Sequence, residues 1–141
     1  MTELVHSPAQ IISQLLTDLS LADSSWPAYY TNEPADPDTV LTVYNTLGVN
    51  QRTMPEGVIY SKRGIQIRAR ARTAAEGWAK LDAVRGTLSQ GINKPTINIS
   101  GTAYTVHGIT RIGEIIDVGK ESPTSNRHIL TLNFVASVWA L

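Results

Sequence analysis

A strand that runs straight into a capped helix limits this chain more than any other feature. Residues 64–71 alternate Ile65, Ile67, Ala69 and Ala71 with Arg68 and Arg70, and Arg72 continues the basic row. Successive strand side chains point to opposite faces, so the small apolar residues line one side and the three arginines the other. One side is built for a core, the other for water, anions or a partner. Thr73 and Glu76 then supply the reciprocal capping pattern that starts a helix, with no loop between strand and helix.

The rest of the chain fits around that unit. Ser7-Pro8 reads as a helix N-cap followed by proline at the first helical position. Ile11, Ile12, Leu15, Leu16 and Leu19 recur at one-face helical spacing, which predicts an amphipathic helix over residues 9–21. Prolines at 27, 34 and 37 forbid helix in the next stretch and leave room for a short strand near residues 28–31. Residues 39–45 are β-branched and aromatic and predict a strand; residues 49–56 read as a loop. Strand material at 58–60 and 65–71 is expected to be interrupted by a polar turn at Ser61-Lys62-Arg63-Gly64.

A second helix is predicted over residues 74–89, with Trp78, Leu81, Leu88, Ala75 and Ala79 as its apolar stripe and Gly91 as its left-handed cap. From residue 96 onward the pattern is all strand: 96–100, 104–109 continuing through Ile115 and Val118, a loop over 119–126, and 128–138. The expected fold is α+β, a mainly antiparallel sheet with two helices packed on one face, in the order α-β-β-α-β-β-β. Residues 1–141 form a single domain by length, and a chain this size buries roughly 70% of its unfolded surface without needing staples.

Composition narrows the chemistry. No cysteine is present, which excludes disulfides, thiolate metal sites and cysteine nucleophiles. The net charge is zero but unevenly spread: residues 1–51 hold Glu3, Asp18, Asp23, Glu33, Asp36 and Asp38 and no lysine or arginine, and all twelve basic residues follow. Such an asymmetry suits head-to-tail association of copies, although the two parts can equally neutralise each other within one subunit. No signal peptide or membrane-spanning run is expected.

His6, His107 and His128 stand far apart, none with a ligand at metal spacing, so no metal site is expected. There is no G-x-S-x-G elbow and no glycine-rich phosphate loop, and the Asp36/Asp38 pair in a proline-rich stretch reads as a solvated turn. Catalysis and cofactor binding are not expected. Five of the twelve basic residues, Lys62, Arg63, Arg68, Arg70 and Arg72, fall within eleven positions. They can neutralise phosphates without reading bases. The competing uses are a solvated sheet face, or ion pairing with the acidic N-terminal part of the same or an adjacent subunit.

Three stretches, V-L-T-V-Y-N-T-L-G, P-E-G-V-I-Y-S-K-R-G-I-Q-I-R-A-R-A-R-T-A-A-E-G-W-A-K-L-D-A-V-R-G-T-L and E-S-P-T-S-N-R-H-I-L-T-L-N-F-V-A-S-V, resemble the minor capsid and tail-terminator proteins of long-tailed bacteriophages. The resemblance runs in order over residues 7–138. It implies a non-enzymatic virion protein of the phage tail, found in the host cytoplasm during assembly. Such a subunit forms a homo-oligomeric ring, typically a hexamer, that ends the tail tube and joins it to the head connector. Genome DNA would pass through its lumen, and Lys62, Arg63, Arg68, Arg70 and Arg72 would face that lumen or a subunit interface. The alternative is a small nucleic-acid-binding module that uses the Arg68/Arg70/Arg72 strand face.

Overall fold

Eight elements follow one another in the computed structural model, which describes residues 4–52, 59–89 and 95–141. They are α1 (Pro8–Asp18), β1 (Ala28–Tyr30), β2 (Val40–Arg52), β3 (Ile59–Ala71), α2 (Ala74–Ser89), β4 (Thr96–Ile99), β5 (Thr102–Lys120) and β6 (His128–Ala140). The strands make one sheet in the order β1-β2-β3-β6-β5-β4. Every neighbouring pair is antiparallel except β1 with β2, which is parallel. This is the expected α+β sheet with both helices on one face, extended by the short strand β1.

Both helices start where their caps place them. The Gln10 amide donates to Ser7 Oγ at 3.3 Å with Pro8 in the first turn, and the Glu76 amide donates to Thr73 Oγ1 at 3.2 Å. α1 buries Ala9, Ile11, Ile12, Leu15 and Leu16 against Leu41, Val43, Ile65 and Ile67 of the sheet. α2 buries Gly77, Leu81, Val84 and Leu88, a four-three-four stripe, against the same core. The expected stripe was different: Trp78 is 47% exposed, and Ala75 and Ala79 point outward. The reason is Gly77, which brings α2 so close to the sheet that a Cβ there would lie 2.5 Å from Leu130 Cδ1. That approach turns the bulky indole away. The expected cap at Gly91 lies outside the described residues.

The sheet is coiled. Five inter-strand spacings of about 4.8 Å would put β1 and β4 about 24 Å apart in a flat sheet, yet α1, a cylinder about 10–12 Å wide, packs on both edge strands as well as on β2 and β3. The two edges therefore curl toward each other around α1 and leave a seam between them.

One region departs from the sequence reading. Residues 49–52 are strand, paired with 59–62, and residues 61–64 continue β3 without a turn. The ladder is carried across by a bulge between Thr46 and Val49, opposite Gly64. A Cβ on Gly64 would lie 2.3 Å from the Leu47 carbonyl oxygen, so the glycine serves a close strand crossing and marks no turn. Beyond the Arg63–Ala136 pair, β6 continues beside β5 alone, and β2 and β3 leave the sheet as a two-stranded arm. Leu47, at its base, is 96% exposed.

Candidate functional site

The second face of the sheet carries the arginine row, and the fold brings carboxylates to it. Alternation along β3 sets Arg68 and Arg70 opposite the buried Ile67 and Ala69. The proline-rich segment between β1 and β2 then crosses this face. Arg68 Nε lies 3.2 Å from Glu33 Oε2, and Arg70 Nη1 lies 3.4 Å from Glu33 Oε1 and 3.6 Å from Glu121 Oε2. Neither Arg68 Nε nor Glu33 Oε2 makes an aligned hydrogen bond, so that contact acts through charge. Arg72 Nε is 3.4 Å from Asp38 Oδ2 at the exposed end of the row.

Arg70 is 2% exposed and holds the crossing segment by its backbone as well. It donates to the carbonyl of Pro37 at 2.5 Å and to those of Ala35 and Asp38 at 3.4 Å. A guanidinium, with five donors in a planar fork, can satisfy several acceptors at once, which an ammonium cannot. Arg127, at the far end of the β5–β6 connection, completes the cluster by donating to Glu121 at 2.8 Å and to the Ala35 carbonyl at 2.6 Å. Tyr44 stands at the edge of this cluster. Burial first, and the negative charge of Glu33 second, push its hydroxyl above the usual tyrosine range.

The five basic residues of the sequence motif are thus not one site. Arg68, Arg70 and Arg72 are each within ion-pair distance of an acidic residue of the chain's own N-terminal part. Lys62 and Arg63 sit apart, at the base of the arm. They line a cavity of about 300 Å³ with Pro8, Asn45, Thr46, Gly48 and Gly64. Among the described residues neither has an acidic partner, and Arg63 Nε is buried without an acceptor. The start of α1 beside them is already satisfied, since Asn45 Oδ1 accepts the Ala9 amide at 2.9 Å.

Two participants escaped the sequence reading: Glu121, which it placed in the loop over 119–126, and Arg127, which it left between that loop and the last strand. The available signal was their position at either end of the short connection E-S-P-T-S-N-R, where an ion pair closes the turn. Two of the three histidines have structural partners: His6 Nδ1 is 2.6 Å from the buried Tyr104 hydroxyl, and the His107 ring packs 4.0 Å from that of Trp139. Among the described residues no three His, Asp or Glu side chains converge as a metal site, and no helix is long and apolar enough to cross a membrane.

A family model described as bacteriophage tail terminator protein matches residues 12–138. The chain belongs to the tail terminator family. The match runs from α1 to β6 and so takes in the whole coiled sheet, the arm and the arginine cluster. This tail terminator is also similar to a solved structure at 14% identity, over 91% of this chain and 92% of the other, with a TM-score of 0.47, a likeness too loose to bear on function. No curated protein matches it. As a tail terminator the chain is a structural protein of the phage tail, and its place is the virion.

Proposed function

We propose that the chain is a ring-forming subunit at the head-proximal end of the tail, which ends the tail tube, joins it to the head connector and lets the genome pass through the lumen. A hexamer is the stoichiometry we favour. Membership of the tail terminator family over residues 12–138 carries this reading. The charge division supports it, since an acidic first part and a basic remainder suit a head-to-tail contact that closes on itself. The role is structural and needs no cofactor.

Within that role Lys62 and Arg63 are read as contact residues, because their charges have no acidic partner among the described residues. The nucleic-acid module built on Arg68, Arg70 and Arg72 is the weaker alternative. Glu33, Asp38 and Glu121 already offset most of that positive charge, and phosphate binding by counterion release needs cations that are free to exchange partners.

The test is to mix the purified chain with purified tail tubes and follow it by mass photometry and negative-stain microscopy. The expected outcome is a ring at one end of the tube. A strict monomer at every concentration, with and without tubes, overturns the proposal; a monomer in isolation alone does not, because the tube can nucleate assembly.

A further inference from the structure

The coiled sheet leaves its two edge strands facing each other across α1. The seam between them is a groove of about 310 Å³ lined by Gln10, Gln14, Tyr29, Tyr30, Asn32 and Ile99, among others. Tyr29 and Tyr30 are 38% and 43% exposed there, and among the described strands β1 pairs with β2 alone, so its outer edge has no strand partner, although the Tyr30 carbonyl there accepts from the Asn32 amide at 2.7 Å. An open edge of this kind accepts another extended strand. Asp18 borders the groove through its hydrogen bond from Gln14, 2.9 Å, and has no basic partner among the described residues.

The arm has the converse properties. It is a two-stranded ribbon, an arrangement only marginally stable in water without a further strand or a packing surface. Lys62 and Arg63 at its base are positively charged and have no acidic partner among the described residues. Lys62 and Arg63 lie beside Pro8 at the start of α1, and Asp18 is at the helix's end. A helix of eleven residues separates those positions by about 15 Å at ~1.5 Å per residue, so the unmatched charges cannot meet within one subunit. They can meet between successive subunits.

We infer that the β2–β3 arm of one subunit docks on the β1–β4 seam of the next, with an edge of the ribbon pairing along β1 and Lys62 and Arg63 facing the neighbour's Asp18. The contact is heterologous, joining different surfaces of two copies, and therefore propagates until the ring closes. This rests on the ring reading above, whose failure is distinguishable from its own.

The chain contains no cysteine, so introduced thiols report cleanly. Leu47→Cys at the arm base and Tyr30→Cys at the seam are combined in one chain, oxidised in the presence of tail tubes and run under non-reducing conditions. The expected result is a ladder of covalent species extending past the dimer and absent from either single variant. In parallel, Lys62→Glu should raise the concentration for half-assembly by about fivefold, the scale of one exposed ion pair, and Asp18→Lys in the same chain should restore it. Circular dichroism of each variant checks that the fold is kept. Rings without the ladder and without charge-reversal rescue overturn the arm–seam contact and leave the ring intact. Cross-links that stop at a closed dimer, or that join the chain to the tube protein, overturn it as well. No ring in any condition removes the ring reading and this contact with it.

Discussion

Arg70 does what the sequence assigned to a surface: it sits on the polar side of β3, but under a cover made of its own chain. The buried guanidinium is matched to Glu33 and Glu121 and to three carbonyls, so removing it strands a half-buried carboxylate and the backbone of the crossing segment. Breaking such a pair costs roughly 3–5 kcal/mol, and Arg70→Met should lose about that much in urea unfolding. Arg72→Ser should lose no more than about 1 kcal/mol, since its ion pair with Asp38 is largely exposed. Equal effects at the two positions would show that the cluster acts as an undifferentiated charged surface. Alternation told the two sides of β3 apart, but it could not tell a covered arginine from a bare one.

Among the elements, α2 gives the clearest contrast, because it contains two glycines with opposite surroundings. Gly77 is pressed against Leu130 and Ala71, whereas a Cβ at Gly86 would meet nothing within 4 Å. Alanine is the better helix former at either place by about 1 kcal/mol. Gly86→Ala should therefore stabilise the protein by up to that amount, and Gly77→Ala should destabilise it by about 1–3 kcal/mol through overpacking; thermal and urea unfolding of the two variants read the sign directly. The helix itself was legible from the Thr73 cap and the length of the pattern. Its buried stripe was misread because Trp78 and the alanines outweigh Gly77 and Val84 in apolar content, and a glycine that marks close packing looks in sequence like a defect. In β2 and β3 the failure had another cause: residues 49–52 and 61–64 are rich in polar residues and glycine, which read as loop and turn, and only the pairing of β2 with β3 across a bulge makes them strand.

At the scale of the molecule the arm and the core are separable. Among the residues between Val43 and Ile65 whose burial is described, Gly64 alone is buried, and the residues on either side of the arm's base, Asn45, Thr46, Leu47, Gly48 and Lys62, are exposed. Replacing residues 49–62 by an Asn-Gly turn should thus shift the melting temperature by no more than about 4 °C, the change expected for roughly 1 kcal/mol in a chain of this size, while abolishing ring assembly on tubes. A large loss of stability would mean that the arm belongs to the core, and assembly of the shortened chain would remove it from the subunit contact. The sequence by itself determined the α+β class, the helix starts, the two faces of β3, and the mainly antiparallel character of the sheet. Caps, periodicity and alternation are local, and each is written within a few residues. Only the tertiary structure decided that the sheet coils until its edges share one helix, that acids from residues 31–39 and 121–127 neutralise the arginine row, and that Lys62 and Arg63 stand apart from it. Those outcomes depend on which distant segments meet, and two segments ninety residues apart, such as Ala35 and Arg127, leave no mark on each other's sequence pattern.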